Sequence, residues 1–187
     1  IIVIVNPVND APEFTDIAAT ASLTEGGSTT ITVEAFDVDT ATIGDVLSYS
    51  CTPSANIDCS VANTNEITFS SDWNGGTEDI IITVDDQQGA DNSQTTATVS
   101  VTVIGENDEP VLADIDSPVT LNEDEDITIT VEATDADEDA LTYSCEDSAD
   151  ITCTATGANI LITPSDDWHG SQDITIGVLD GNTGSDT

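Results

Sequence analysis

The sequence contains the stretch Ile31-Thr32-Val33-Glu34-Ala35-Phe36-Asp37-Val38-Asp39, which returns as Ile129-Thr130-Val131-Glu132-Ala133-Thr134-Asp135-Ala136-Asp137. In both copies apolar and polar residues alternate before an acidic end is reached, and this period of two is typical of a half-buried β-strand. The copies lie 98 positions apart, so the sequence predicts two repeats of one structural unit.

Further motifs repeat in the same order, at a spacing of 98 in the first part and of 94 after a four-residue insertion. The matching pairs are Asn9-Asp10-Ala11-Pro12 with Asn107-Asp108-Glu109-Pro110, Leu23-Thr24-Glu25 with Leu121-Asn122-Glu123, and Leu47-Ser48-Tyr49-Ser50-Cys51 with Leu141-Thr142-Tyr143-Ser144-Cys145. Each copy carries about seven short alternating runs separated by turn residues, which is typical of an immunoglobulin-like β-sandwich. We therefore predict an all-β chain of two tandem immunoglobulin-like β-sandwich modules.

The charge of the chain excludes several classes of function. Its 187 residues include 38 Asp and Glu and no Lys or Arg, so the formal net charge is −38. Nucleic acids and anionic membrane surfaces require a cationic partner, and Schiff-base and P-loop chemistry require lysine.

No stretch approaches the roughly 20 apolar residues of a membrane span. Because 37% of the residues are hydrophobic, we expect a folded chain whose carboxylates are neutralised by calcium (Ca²⁺), a hard cation that prefers oxygen ligands.

Four cysteines form two pairs with the same spacing, Cys51 with Cys59 and Cys145 with Cys153. Of the three possible connectivities, this repeated spacing favours two local disulfides, which would place the chain in an oxidising, extracellular compartment. The alternatives are four free thiols in a cytosolic protein and a zinc site, for which the spacing is too long and histidine partners are lacking.

The order of the motifs carries a resemblance. Val8-Asn9-Asp10-Ala11-Pro12, a Leu-x-Glu, an Ala-x-Asp-x-Asp, a Leu-x-Tyr-Ser and a Trp-x-Gly follow one another, and the chain therefore resembles the bacterial cadherin-like tandem repeats of giant surface proteins and adhesins. The resemblance implies calcium-braced sandwiches in series. It predicts a structural protein without enzymatic activity, an extracellular filament or adhesin stalk at the cell surface or secreted.

Candidate calcium ligands are the acidic and amide residues at the predicted junctions between modules, where six to eight oxygens can be assembled from loops and linker. For the internal junction they are Glu25, Asp86, Glu106, Asn107, Asp108, Asp135, Asp137 and Asp139. For the junction with a preceding copy they are Asn9, Asp10, Asp37, Asp39 and Asp45, and Glu123 and Asp180 are assigned to the junction with a following copy. The alternative for each residue is a solvated acidic turn.

The two ends of the sequence predict how copies are joined. Ile1-Ile2-Val3-Ile4-Val5 is an apolar strand without a module of its own, and the second module stops before a counterpart of Thr96–Val103, its last strand. We expect residues 1–7 to complete the preceding copy's module, with module one at 8–105 and an incomplete module two at 106–187. Copies would then associate head to tail, either as one continuous chain or by strand addition between subunits. The alternative is a fragment that has been cut at an arbitrary boundary.

The aromatic residues leave a second function open. Trp73 and Trp168 could stack on a sugar ring, as in a carbohydrate- or cell-surface-binding module, although core packing is the expected role of both. His169 replaces Asn74 of the other module, which indicates a surface turn residue. Paired carboxylates of the glycosidase kind are too common in this chain to indicate an enzyme.

Overall fold

The alternating runs form strands throughout. The structure is a computed structural model that describes residues 1–41, 46–89, 92–182 and 185–186, and its one helical element is a 3-10 turn at Val38–Ala41. The strands are β1 Glu13–Asp16, β2 Thr20–Thr24, β3 Gly27–Thr32, β4 Glu34–Phe36, β5 Ser48–Thr52, β6 Asp58–Val61, β7 Glu66–Ser71, β8 Gly76–Asp85, β9 Gln94–Ile104, β10 Val111–Leu112, β11 Ile127–Thr130, β12 Ala133–Thr134, β13 Thr142–Glu146, β14 Ile151–Thr156, β15 Asn159–Pro164, β16 Thr175–Leu179 and β17 Ser185–Asp186. The prediction of an all-β fold is confirmed.

The chain divides into two compact units, Ile1–Glu106 and Asn107–Thr187. In the first unit, one sheet has the strand order β2-β9-β8-β5 and a second has the order β3-β7-β6, while β1 pairs with β4. Most pairs are antiparallel, but β2 runs parallel to β9. The apolar faces of the two larger sheets enclose a core in which Phe69, Ile80 and Val101 are fully buried.

The second unit repeats most of this arrangement. It has the sheets β13-β16-β17 and β11-β15-β14 and the pair β10-β12. The register of the repeat is kept, because Phe14 pairs with Ala35 in the first unit and Leu112 pairs with Ala133 in the second. Ser185 and Asp186 pair with Leu179 and Val178 and so take the positions of the first two residues of β9. The second core is smaller, with Ile160 fully buried and Val131 nearly so.

Each unit has one disulfide at the same place. Cys51–Cys59 joins β5 to β6, and Cys145–Cys153 joins β13 to β14, so each bridge connects an edge strand of one sheet to an edge strand of the other. The prediction of two local disulfides is confirmed. In the chain-entropy description, a loop of this length stabilises a unit by about 2.5 kcal/mol.

The first residues of the chain lie outside both sandwiches. Ile1 to Val5 has no regular strand, and the exposed fractions of its side chains range from 78% to 122%. The first strand of the unit begins at Glu13.

Candidate metal centres

A group of acidic and amide side chains lies at one end of the first unit. Asn9 and Asp10 come from the segment before β1, Asp37 and Asp39 follow β4, and Asp86 follows β8. The three segments meet because β1 is antiparallel to β4, and β4 and β8 both end on the side of the sandwich where β1 begins. We call this group the unit 1 cluster.

Hydrogen bonds hold the unit 1 cluster together. The Asn9 side-chain amide donates to Asp86 Oδ2 over 2.8 Å, and the Asp10 backbone N–H donates to Asp39 Oδ2 over 2.8 Å. Asp37 Oδ1 accepts from the backbone N–H of Asp39 at 2.7 Å, and Asp86 Oδ1 accepts from that of Gln88 at 2.8 Å. The segment that precedes the sandwich is therefore tied to two of its loops by carboxylates.

The second unit reproduces the same four contacts in what we call the unit 2 cluster. The Asn107 side-chain amide donates to Asp180 Oδ2 over 2.8 Å, and the Asp108 N–H donates to Asp137 Oδ2 over 2.7 Å. Asp135 Oδ1 accepts from the N–H of Asp137 at 2.9 Å, and Asp180 Oδ1 accepts from that of Asn182 at 2.7 Å. The repeated motifs therefore preserve the same hydrogen bonds in both units, and two of the four run from a backbone N–H to the carboxylate two residues earlier.

These carboxylates are buried to a degree that is unusual for charged groups. Asp86 is 0% exposed, Asp37 1% and Asp180 5%. A buried carboxylate is costly unless a positive charge or several hydrogen-bond donors accompany it, and the chain has no Lys or Arg to provide that charge. Asp86 and Asp180 each accept hydrogen bonds from two donors, and a cation bound in the cluster would supply the positive charge that these donors do not.

Each cluster contains a buried oxygen that lacks a hydrogen-bond donor among the described residues. Asn9 Oδ1 is such an oxygen in the unit 1 cluster, and Asp135 Oδ2 is one in the unit 2 cluster. An amide or carboxylate oxygen that is withdrawn from water needs a partner, and a hard cation is one that these atoms can ligate. In addition, Asp135, Asp137 and Asp139 each place a carboxylate oxygen within 4.8 Å of the others. The oxygen-only donor set fits calcium.

The structure groups two of the predicted ligands differently from the sequence prediction. Sequence reasoning places Asp86 with Glu25 and Glu106, but Asp86 lies with Asn9, and Glu25 accepts instead from the Glu106 N–H at 3.2 Å. The reason is the length of β9, whose 11 residues separate the Glu25 end from the Asp86 end by roughly 33 Å. By the same logic Asp180 lies with Asn107 rather than with Glu123, which is exposed. Asp45 lies outside the described residues.

Sequence reasoning missed two asparagines that contribute to these clusters. The Asn182 side chain donates to Asn107 Oδ1 at 2.8 Å and to Asp139 Oδ2 at 2.6 Å, and the Asn92 side chain donates to the Asn9 carbonyl. Their positions in the sequence could have indicated this role, because each asparagine follows acidic residues that come after the strand β8 or its counterpart β16.

The tryptophans pack against the cores, as expected. Trp73 lies half-buried on the first core and Trp168 on the second. A Cβ added at Gly76 would lie 2.0 Å from the Trp73 ring, so glycine is required for the ring to lie against the chain there. His169 is exposed.

Comparison with known proteins shows what the second unit resembles. Residues 107–187 match the family model described as bacterial Ig domain. The second unit is thus similar to bacterial Ig domains. The resemblance to bacterial cadherin-like and immunoglobulin-like repeats, expected from the motifs, is thereby confirmed, and the fold is that of non-catalytic domains. No curated protein matches the sequence.

Solved structures similar to this chain contain cadherin domains. Protocadherin Gamma B2 extracellular cadherin domains 3-6 are 14% identical with a TM-score of 0.58, and the match covers 94% of this chain and 44% of that one. The Protocadherin gammaB7 EC3-6 cis-dimer structure is 18% identical with a TM-score of 0.54, covering 94% and 45%. Human Protocadherin-24 EC1-2 is 20% identical with a TM-score of 0.53, covering 92% and 88%. The chain thus spans less than half of the length of the first two, and at these identities the likeness shows the fold alone.

Among the described residues, no helix has the length and apolar character needed to cross a membrane.

Proposed function

We propose that this chain is part of an extracellular structural rod, a filament or adhesin stalk, in which cadherin-like modules are joined head to tail and stiffened by calcium. The modules serve as rigid spacers. Calcium neutralises the acidic cluster at the end of each unit and fixes the preceding segment of chain against the sandwich.

The repeated cluster carries the proposal. In both units, buried carboxylates accept hydrogen bonds from the segment that precedes the sandwich, and the same four hydrogen bonds are formed. The linker motifs Asn9-Asp10-Ala11-Pro12 and Asn107-Asp108-Glu109-Pro110 share only their Asn, Asp and Pro. Without a cation, the charges of Asp37, Asp39 and Asp86 repel one another at low dielectric. With one, the same charges bind the linker to its module.

Calcium is favoured over other metals by the ligands. The clusters offer carboxylate, amide and carbonyl oxygens, whereas the four cysteines are used in disulfides and His169 is exposed. Zinc and copper prefer nitrogen and sulfur, and magnesium requires a stricter octahedral geometry than loops of this kind impose.

Two observations support an extracellular location. Disulfides persist in oxidising compartments, and both units have one. The similar protocadherin structure is described as extracellular cadherin domains. Millimolar calcium is typical of that environment, where weak sites of this class are occupied.

The test is thermal unfolding of the chain in millimolar calcium and in chelator. A cation that binds only the folded state adds about 2.7 kcal/mol to the free energy of unfolding when its concentration is 100 times its dissociation constant. This raises the unfolding midpoint of a small domain by roughly 10–20 °C. Magnesium at equal concentration is the control for ionic strength. Small-angle scattering of the same samples should show a longer maximum dimension in calcium than in chelator. Equal midpoints and equal dimensions in both buffers would contradict the proposal.

The alternative function, a carbohydrate- or cell-surface-binding module, depends on exposed aromatic rings. Trp73 and Trp168 lie half-buried against the cores, which favours the structural role. Glycan-array binding that is lost on substitution of either tryptophan in a folded variant would favour the alternative.

A further inference from the structure

The turn between β7 and β8 of the first unit contains the dipeptide Asn74-Gly75. Of the 11 asparagines in the sequence, Asn74 is the one that glycine follows. Asn74 is also exposed to solvent. Because glycine has no Cβ, its backbone nitrogen is the least hindered from reaching the side-chain carbonyl carbon of the residue before it.

The backbone conformation at this turn calls for glycine. The φ of Gly75 is +126°, and that of Gly76 is +146°. A Cβ at Gly75 would in addition lie 3.3 Å from the backbone nitrogen of Gly105. The fold itself thus keeps an unhindered nitrogen next to the Asn74 side chain.

The second unit shows that the turn does not need an asparagine. There Trp168-His169-Gly170 replaces Trp73-Asn74-Gly75-Gly76, and the turn is one residue shorter. The last glycine of the turn packs against the tryptophan ring in both units, since a Cβ on it would meet the ring at 2.0 Å in the first unit and at 2.9 Å in the second. The tryptophan packing is therefore kept with histidine in place of Asn74.

The backbone of Asn74 lies against the segment by which the chain leaves the first sandwich. A Cβ added at Gly105 would lie 2.0 Å from the Asn74 carbonyl oxygen, so the two backbones are in close contact. The next residue, Glu106, donates its N–H to Glu25 Oε2 over 3.2 Å, and the Glu25 N–H donates to the Ile104 carbonyl over 2.9 Å. A change in the main chain at Asn74 therefore acts directly on this segment.

We propose that Asn74 is a site of spontaneous deamidation, which alters this end of the first unit as the protein ages. The Gly75 nitrogen attacks Cγ of Asn74, so that an N–Cγ bond forms and the Cγ–Nδ2 bond breaks. The proton of the Gly75 nitrogen leaves with the side-chain NH2 group as ammonia, and a cyclic succinimide remains. Water then opens the ring at either carbonyl carbon and yields aspartate or isoaspartate, without oxidation or reduction.

Both products change the contact with Gly105. Each replaces a neutral amide by a carboxylate at the end of the unit where Glu25 and Glu106 lie, and the chain has no Lys or Arg to offset the added charge. In isoaspartate the main chain runs through Cγ and is longer by one methylene group. The carbonyl that lies against Gly105 then becomes part of the free carboxylate, so we expect Ile104–Glu106 to be held less firmly.

The first experiment follows the modification by mass spectrometry. The folded wild-type chain is kept for weeks in mildly alkaline buffer with calcium, and its peptides are mapped at intervals. Replacement of NH2 by OH should proceed at least about tenfold faster at Asn74 than at any other asparagine, because glycine alone leaves the attacking nitrogen unhindered. Fragmentation that distinguishes isoaspartate from aspartate should find both at this position. Equal rates at several asparagines, or an Asn74 that stays intact, would overturn the proposal.

The second experiment measures the structural consequence by hydrogen exchange at the Glu25 amide. This amide should exchange at least about tenfold faster in the modified wild type than in the fresh chain, because the free energy for opening this end is lowered. Asn74→His, which places the residue of the second unit in the first, is the matched control, and its exchange should be the same before and after ageing. Equal exchange in fresh and modified wild type would contradict the proposed change at this end of the unit.

Gly105→Ala tests the contact independently of the deamidation. Its Cβ pushes against the Asn74 carbonyl, so the freshly prepared variant should already show the faster Glu25 exchange of the modified wild type. Gly89→Ala, where a Cβ would meet nothing within 4 Å, is the control and should leave the Glu25 exchange unchanged. A Gly105→Ala chain that protects the Glu25 amide as the fresh wild type does would contradict the proposed route from Asn74 to this segment.

Discussion

The side-chain amide of Asn9 donates a hydrogen bond to Asp86 Oδ2 across 2.8 Å, although 77 positions of sequence separate the two residues. β8 makes this contact possible, because it carries the chain back to the end of the sandwich where the segment Asn9-Asp10 enters. Asn107 and Asp180 repeat the contact at 2.8 Å in the second unit. The linker before each module is thus part of that module's acidic cluster.

Asp86→Asn should weaken calcium binding at the unit 1 cluster by about tenfold or more, the size of loss that follows when a group in or next to a metal site is removed. The change removes one charge while the shape of the side chain is kept. Isothermal titration with calcium measures the effect. Asp58→Asn, on the exposed face of β6, is the matched control and should bind calcium as the wild type does. Equal affinities of the two variants would contradict a cation at Asp86.

Gly76→Ala should destabilise the first unit by about 3 kcal/mol or more, because the new Cβ combines an unfavourable backbone conformation with overpacking. Its φ is +146°, and the Cβ would lie 2.0 Å from Cη2 of Trp73. Gly157→Ala is the control, with φ at +56° and nothing within 4 Å, and should cost about 1 kcal/mol. Urea unfolding measures both free energies. A cost at Gly76 no larger than that at Gly157 would mean that Trp73 is free to move aside.

Removal of either disulfide should lower the free energy of unfolding of its own unit by about 2.5 kcal/mol. Both bridges have a sequence separation of 8 and join equivalent edge strands, so Cys51→Ala with Cys59→Ala and Cys145→Ala with Cys153→Ala should have similar effects. Calorimetry under the same calcium concentration compares the two pairs. A much larger loss of unfolding free energy for one pair would show that its disulfide does more than constrain the unfolded chain.

Glu78 should contribute stability that depends on pH. Hydrogen bonds from the Ser54 side chain and then from Asn56 hold the pKa of Glu78 below its ordinary value. A lowered folded-state pKa means that the contribution is present above the unfolded-state pKa and is lost as the pH falls through the folded-state value. Glu78→Gln should therefore be less stable than the wild type at pH 7, and the difference should shrink as the pH is lowered through the unfolded-state pKa and then the folded-state pKa of Glu78.

Urea unfolding in chelator measures this difference without the pH dependence of calcium binding. Glu13→Gln, on the exposed side of β1, is the control for the loss of a carboxylate and should be as stable as the wild type at pH 7. A Glu78→Gln difference that is independent of pH would contradict the role of its charge.

Local patterns were sufficient for the strands and disulfides. Alternation in stretches such as Ile31–Asp39 predicts half-buried strands because side chains point to opposite faces at each step, and the structure has β3 and β4 there. The repeated Cys spacing predicts local bridges because each pair brackets one turn between two adjacent strands. The inward face of each strand follows from the same period.

The composition of the clusters was only partly predictable. The sequence alone determined that this acidic chain is all-β with repeated motifs, that its cysteines pair locally and that its Asn-Asp and Asp-x-Asp motifs concentrate carboxylate and amide oxygens, because these properties depend on residue type and short spacing. Only the tertiary structure decided that Asp86 joins Asn9 and that Asp180 joins Asn107, because the direction in which β8 and β16 run determines which end of the sandwich each carboxylate reaches.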